Sequence, residues 1–303
     1  MSRPPKQDIH GVLLLDKPAD ISSNNALQKV KHLFSARKAG HTGNLDPMAT
    51  GLLPCCFGDA TKVAHFLINS DKTYIAECCF GSQTDTGDAT GTVVKTCEKT
   101  RVAETELSQV LADMHGPQQQ IPPMYSALHH EGKRLYQLAR EGKTVERPPR
   151  DITVHQFQLL GIEADTARFE IQVSKGTYIR TLLEDMAAAC GTLAHMTELR
   201  RIRTGIFDGA DMLTIEQIEA AEDPQEFLLP ADAALREYPE LRLDAALTQD
   251  ILHGKKIPTQ MAPGIVRMYD PTGLFLGLGT VQEGLLKVLR LFYKSYEQSR
   301  SQQ

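Results

Sequence analysis

Asp46 is the residue whose local sequence is best suited to chemistry. It stands between Leu45 and Pro47 within residues 40–51, Gly-His-Thr-Gly-Asn-Leu-Asp-Pro-Met-Ala-Thr-Gly. A residue before proline is restricted to extended backbone, and the glycines of this segment let a ligand approach closely. A carboxylate held in such a loop is a reasonable nucleophile or general base. The alternative is that Asp46 closes a surface turn by hydrogen bonding to its own backbone.

Arg180 is a second candidate because its predicted position is electrostatically unusual. We predict a helix after residues 175–177, and Arg180 falls in its first turn, where the helix dipole disfavours a cation. An ionised carboxylate would offset this effect, and the guanidinium would keep the pKa of that carboxylate low. Pairing of Arg180 with Asp46, 134 positions away, is therefore a hypothesis. A solvated arginine at a helix start is the alternative.

Three further side chains could stack against a nucleic-acid base: His41, Tyr74 and Tyr178. Taken singly, each also fits a core or turn position. The chain has no G-x-G-x-x-G, Walker A, H-E-x-x-H or G-x-S-x-G pattern, so nucleotide-binding, zinc-protease and hydrolase functions are not supported. Its six cysteines form no C-x-x-C pair, which predicts reduced thiols and no structural zinc site.

The elements that must position these residues can be predicted from periodicity. The apolar run at residues 11–16 predicts a buried strand, and Ser22 and Ser23 can cap a helix that follows it. Alternating polar and apolar residues over 166–173 predict a strand with one buried face, and residues 152–160 a neighbouring strand. The helix that carries Arg180 should bury a stripe that ends before a C-capping Gly191. This mixture predicts an α+β fold around a largely antiparallel sheet.

The C-terminal part differs from the rest in pattern and in charge. Short apolar runs separated by Gly and Pro after residue 243 predict a small β-rich domain, so we expect two domains, 1–242 and 243–303. The net charge is −5, yet residues 210–250 alone carry −9, which leaves +4 for the remainder. A polyanion could therefore dock on one face. The absence of a long apolar segment and of a secretory leader predicts a cytoplasmic protein.

Ordered blocks of the chain resemble the bacterial tRNA pseudouridine-55 synthase (TruB) family over roughly residues 11–205. The blocks are Gly11-Val-Leu-Leu-Leu-Asp-Lys-Pro18, Ser22-Ser23, the 40–51 segment, Asp71-Lys-Thr-Tyr74, Gly81 with Thr84-Asp85-Thr86 and Asp88, Ile121-Pro-Pro-Met-Tyr-Ser-Ala127, Ser174-Lys-Gly-Thr-Tyr-Ile-Arg180, and His195 with Leu199-Arg200-Arg201. A set of ordered blocks is far more specific than a single short motif. Asn44 departs from the pattern, since the family more often has Ala or Thr there.

The resemblance implies a pseudouridine-synthase-type catalytic domain, with a largely antiparallel mixed sheet flanked by helices, and a small PUA-like C-terminal domain that binds RNA. It implies isomerisation of the uridine at position 55 in the T-loop of tRNA by base flipping, without a metal or another cofactor. Asp46 matches the family's catalytic aspartate, and Arg180 matches the arginine that pairs with it. The same surface could also assist tRNA folding.

The remaining substrate-binding residues follow from the same resemblance. Tyr74 matches the tyrosine that stacks on the target base, and Tyr178 and Leu199 fall where the family lines its substrate pocket. His41 falls where a histidine helps to displace the target from the T-loop. The expected partner is the T stem-loop of tRNA, and nothing in the sequence requires more than a monomer.

Two other functions stay open from the residues themselves. An RNA-binding protein could open the T-loop with the same surface and perform no chemistry. A phosphate-handling enzyme could use the 40–51 loop as an anion-binding nest. Within the enzyme hypothesis, Asp46 could attack the ribose C1′, add to C6 of the base, or remove the 2′ hydrogen of the ribose.

Overall fold

The computed structural model describes residues 5–301 and divides the chain into two compact units. Unit 2 consists of Asp46–Gly51 and Asn69–Gly205. Unit 1 contains Leu52–Ile68 and the other described residues, up to residue 45 and from residue 206 onward. Across the described residues, no helix is both long and apolar enough to cross a bilayer.

The N-terminal region begins with the predicted strand and helix and continues with two strands and a helix that were not predicted. Its elements are β1 (Gly11–Lys17), α1 (Ser23–Leu33), β2 (Ala39–His41), β3 (Thr50–Phe57) and α2 (Ala64–Asn69), with a 3₁₀ helix at Gly58–Lys62 between β3 and α2. β1 lies beside β3, and β2 pairs antiparallel with β3. The hydroxyl of Ser22 accepts a hydrogen bond from the N–H of Asn25 at 3.1 Å, which confirms Ser22 as the helix cap, whereas Ser23 is the first residue of the helix.

Unit 2 contains most of the predicted site residues, and its core is one sheet. The elements are β4 (Lys72–Phe80), β5 (Ser82–Thr84), β6 (Val93–Thr96), α3 (Glu104–Asp113), β7 (Gly116–Gln120), β8 (His129–His130), β9 (Lys133–Arg134), α4 (Leu135–Arg140), β10 (Arg150–Glu163), β11 (Thr166–Val173), α5 (Ile179–Ala189) and β12 (Ala194–Thr204). The strand order β12-β4-β11-β10-β7 is antiparallel throughout. The predicted antiparallel core of the fold is therefore confirmed.

Packing on this sheet follows the two periodicities seen in the sequence. The apolar positions of β11 are buried, and the ring centroids of Phe157 and Phe169 lie 5.2 Å apart on β10 and β11. α5 buries its stripe and ends at Ala189, and its C-cap Cys190 is followed by Gly191 with φ +65°. This left-handed conformation is the one that favours glycine after a helix. The predicted strand pair and the predicted helix are both confirmed.

The C-terminal part of unit 1 is rich in short strands. Its elements are β13 (Phe207–Asp208), α6 (Ile215–Glu219), β14 (Glu240–Arg242), α7 (Ala245–Leu252), β15 (Ile257–Pro258), β16 (Gly264–Tyr269), β17 (Phe275–Gln282), β18 (Leu285–Leu291) and α8 (Tyr293–Ser301). Five of these strands form a sheet in the order β14-β16-β17-β18-β15. The expected β-rich C-terminal region is confirmed, and the domain boundary near residue 243 stays a prediction.

Asp59 joins two distant segments within unit 1. Its Oδ2 accepts hydrogen bonds from the N–H groups of Lys294 at 3.0 Å and Ser295 at 3.3 Å, at the start of α8. Its Oδ1 lies 2.7 Å from Nζ of Lys62. Burial raises the pKa of Asp59, but hydrogen bonds from Lys62 and Ser295 outweigh this effect and hold the pKa below its ordinary value. The folded state therefore favours the ionised carboxylate.

Asp59→Ala should lower the free energy of unfolding at pH 7 by about 1–2 kcal/mol, since it removes a helix-capping carboxylate. Because the pKa of this carboxylate is lower in the folded chain, its contribution is present above the unfolded pKa. The contribution is lost as the pH falls through the folded pKa. Urea unfolding at several pH values should therefore show the difference between variant and native protein shrinking below about pH 4. A difference that does not change with pH would contradict this account.

Asp250→Ala is the matched control for this stability measurement. Asp250 forms an exposed ion pair with Lys255 at 2.6 Å. Exposed pairs of this kind contribute about 0–1 kcal/mol. The control should therefore change the free energy of unfolding less than Asp59→Ala does.

Candidate active site

Asp46 and Arg180 meet in unit 2. The Nε of Arg180 lies 2.9 Å from Oδ2 of Asp46. The guanidinium side chain is 5% exposed, whereas the carboxylate side chain is 36% exposed. A guanidinium at this distance favours the ionised carboxylate, and a partly buried pair is screened less by solvent than a surface pair. The pair therefore presents a charged carboxylate that solvent can still reach.

Arg180 is held by its other nitrogens. It is the second residue of α5, as predicted, and its NH1 donates to the carbonyl of Thr86 at 2.6 Å while its NH2 donates to the carbonyl of Tyr125 at 2.8 Å. The planar guanidinium thus has its orientation set by two separate loops. The geometry of its contact with Asp46 follows from that orientation.

Asp88 is a second carboxylate beside the same guanidinium. Its Oδ2 lies 3.8 Å from Nε of Arg180, and the residue is 4% exposed. Its Oδ1 accepts hydrogen bonds from the hydroxyls of Thr86 at 2.8 Å and Thr90 at 2.6 Å. Asp88 belongs to one of the sequence blocks that resemble the family, but the sequence alone assigns it no role. The signal for it was the group of short polar residues at positions 84–90, which is typical of a carboxylate held by its own turn.

The chain after Asp46 is positioned by a close backbone approach. The N–H of Ala49 donates to the carbonyl of Asp46 at 3.1 Å, and Thr50 and Gly51 then pair in parallel with Arg200 and Arg201 of β12. Gly51 has φ +99°, and a Cβ there would collide with the carbonyl of Arg201. Only glycine therefore fits this position without displacement of the backbone.

The chain before Asp46 is positioned by a serine. The hydroxyl of Ser23 accepts a hydrogen bond from the N–H of Leu45 at 2.8 Å and donates to the carbonyl of Leu45 at 3.1 Å. Ser23 is 2% exposed, so this pair of bonds is shielded from water. The backbone that enters Asp46 is therefore fixed, as a loop that aims a functional side chain requires.

Tyr74 and Leu199 lie on the same face of the unit 2 sheet. Tyr74 pairs with Arg201 across β4 and β12, and Leu199 pairs with Ala76 two positions further along. Side chains two apart on a strand share a face, so the two residues are diagonal neighbours. Each is 8% exposed. They lie beside the part of β12 that pairs with Thr50 and Gly51, shortly after Asp46. This position is consistent with the pocket-lining role that the resemblance implies.

Tyr178 precedes α5 and is also in unit 2. Burial raises the pKa of its phenol, while the Ser126 hydroxyl and the charges of Arg150 and Arg180 oppose this shift. The negative charge of Asp46 raises the pKa further. The phenol is therefore neutral at physiological pH, and it interacts electrostatically with both Asp46 and Arg180.

His41 is the one predicted site residue that lies in unit 1. It ends β2 opposite Cys55, and its Nδ1 accepts a hydrogen bond from the N–H of Gly43 at 3.4 Å. The role assigned to it stays a prediction.

Within residues 5–301, no three His, Cys, Asp or Glu side chains come together in a group that could hold a metal ion.

Three family models match consecutive parts of the chain. The TruB family pseudouridylate synthase N-terminal domain matches residues 31–179, and the tRNA pseudouridylate synthase B C-terminal domain matches residues 180–236. The pseudouridine synthase II TruB C-terminal model matches residues 239–292.

Similar proteins cover nearly the whole chain. The tRNA pseudouridine synthase B of Hydrogenovibrio crunogenus is 44% identical over 295 residues, which are 96% of this chain and 97% of that protein. The protein of the same name from Chromohalobacter salexigens is 48% identical over 282 residues, 91% of each chain. Among solved structures, one chain of a Cbf5-Nop10-Gar1 complex aligns with a TM-score of 0.72 at 24% identity, covering 93% of this chain and 85% of its own. At this identity the structure shows a shared fold.

Proposed function

We propose a function from the family of this chain, which belongs to the TruB family of pseudouridylate synthases, a family of isomerases. The chain converts the uridine at position 55 in the T-loop of tRNA into pseudouridine, and Asp46 is the catalytic carboxylate. The observation that carries this proposal is the ion pair of Asp46 and Arg180, in which a buried guanidinium faces a carboxylate that solvent can reach. The names of the similar proteins support tRNA as the substrate.

The reaction conserves every atom of the uridine. The bond between N1 and the ribose C1′ breaks, the uracil turns, and C5 bonds to C1′ while a proton leaves C5 and N1 gains one. A single ionised carboxylate can begin this sequence by attacking C1′, by adding to C6, or by removing the 2′ hydrogen. The role of Arg180 is to hold that carboxylate charged and correctly aimed.

The target base must leave its stack before Asp46 can reach it, at a cost of a few kcal/mol. Stacking on Tyr74 offsets part of this cost, because an aromatic ring replaces the lost neighbours of the base. Tyr178 and Leu199 form the walls that retain the turned uracil. His41 takes the place that the base vacates. This assignment is supported by the shared sheet face of Tyr74 and Leu199 and by the placement of Tyr178 near the ion pair.

The partner we propose is the T stem-loop of tRNA, bound by a monomer in the cytoplasm. An RNA surface is consistent with a charge of +4 outside the acidic 210–250 segment. The reaction needs no redox or group-transfer partner, since its product has the composition of its substrate.

The test is to incubate the purified protein with an unmodified tRNA transcript in the presence of EDTA and to map pseudouridine by chemical derivatisation and mass spectrometry. We expect one modified position, number 55. A transcript with cytidine at that position is the control and should yield no product. Modification at another uridine, or none in the native transcript, would overturn the proposed function.

A further inference from the structure

Gln120 makes two hydrogen bonds to the backbone of a single residue of the site. It is the last residue of β7 and is 3% exposed. The N–H of Tyr178 donates to its Oε1 at 2.8 Å, and its Nε2 donates to the carbonyl of Tyr178 at 3.1 Å. Both ends of the amide are therefore engaged, and a side chain bound at both ends cannot turn without breaking a buried bond.

The residue that Gln120 holds is the N-cap of α5. Tyr178 precedes the helix and makes no side-chain capping bond of its own. Its carbonyl also accepts the first helical hydrogen bond, from the N–H of Leu182 at 3.1 Å. The phenol of Tyr178 and the guanidinium of Arg180 project from this turn. A displacement of the turn would therefore move both groups relative to Asp46.

The neighbouring glutamines have no such contact. Gln118 donates to the carbonyl of Met114 at 2.8 Å, and Gln119 donates to Oδ1 of Asp151 at 3.3 Å. Three identical side chains in one strand thus have three different partners, and the last of them alone reaches the site. This arrangement supplies matched controls for the role of Gln120.

We propose that Gln120 is a positioning residue for the isomerisation: it fixes the first turn of α5 so that Tyr178 and Arg180 meet the substrate and Asp46 in the reactive geometry. This inference rests on the function proposed above. Both hydrogen bonds of the Gln120 side chain go to the backbone of Tyr178, so its effect passes through that backbone. A displacement of about 1 Å at a reacting centre can lower a rate by about 10²-fold.

The test compares Gln120→Met, which keeps the length and loses both hydrogen bonds, with Gln118→Met and Gln119→Met in single-turnover reactions on the unmodified transcript. For Gln120→Met we expect a rate constant about 10–100-fold lower, with tRNA affinity changed less than about threefold. The acidic limb of its pH–rate profile should move to higher pH, because Arg180 keeps its bonds to the Thr86 and Tyr125 carbonyls but its displaced backbone lets it pair less closely with Asp46. Both control variants should keep the native rate constant and profile.

The rate constant at saturating protein separates this role from a merely structural one. In a single turnover with protein in excess over tRNA, a variant that only folds less well needs more total protein to reach saturation but keeps the native saturated rate constant and pH profile. That result for Gln120→Met would overturn the inference. Should this variant fail to fold, Gln120→Glu keeps the acceptor for the N–H of Tyr178 and should show a lowered rate constant, whereas a native rate constant would again overturn it.

The activity of the native protein tests the proposed function separately from the positioning role of Gln120. A native protein that forms pseudouridine at position 55, together with a Gln120→Met variant of equal rate constant, overturns the inference and leaves the proposed function standing. A native protein that forms none overturns the proposed function, and the inference fails with it.

Discussion

The Asp46→Asn protein is expected to bind tRNA as tightly as the native protein, or more tightly, and to form no pseudouridine. Asparagine retains the shape of the side chain but has no negative charge, so it can act neither as a nucleophile nor as a base. Loss of a group at the centre of the chemistry lowers turnover by about 10⁴-fold or more. Binding should persist because removal of a negative charge cannot weaken contacts to phosphates.

Single-turnover mass spectrometry of tRNA, with a filter-binding affinity for each protein, measures both quantities. Asp113→Asn is the control, since it removes one negative charge from an exposed position at the end of α3. It should leave turnover unchanged. Undiminished product from Asp46→Asn would show that another group is the catalyst, and affinity lost in parallel with turnover would favour a binding role for Asp46.

Arg180→Lys is expected to lower turnover by about 10²–10³-fold while it changes tRNA affinity less than about threefold. Lysine keeps a positive charge, but a single ammonium cannot bond to Asp46, the Thr86 carbonyl and the Tyr125 carbonyl in the planar arrangement of the guanidinium. Asp46 then loses its fixed partner. The loss of hydrogen bonds to the Thr86 and Tyr125 carbonyls should also lower the free energy of unfolding by about 1–3 kcal/mol.

Arg168→Lys on β11 is the matched control, because Arg168 is exposed and lies outside the proposed site. Thermal unfolding of each variant identifies the temperature range in which both are folded, and turnover is compared there. If Arg180→Lys lost affinity and turnover to the same extent, Arg180 would be a phosphate contact and not the partner of Asp46.

Much of this protein was determined by local sequence. The strand at β1, the Ser22 cap of α1, the alternation of β11 and the stripe of α5 depend on side-chain periodicity and on hydrogen bonds between near neighbours. Such features act over a few residues, so they can be seen without a structure. The ordered motif blocks added the family and a role for Asp46, and the matched family models confirm the family.

The tertiary structure decided which groups surround that aspartate. Pairing of Asp46 with Arg180 was a hypothesis from the sequence, and the fold brings their atoms to 2.9 Å. Neither the second carboxylate at Asp88 nor the hold of Gln120 on Tyr178 was predicted. These contacts join a side chain to a segment far along the chain. Such contacts produce no periodic pattern in the sequence and do not depend on local conformational preference. They exist only once the sheet has folded and buried polar groups have found partners within it.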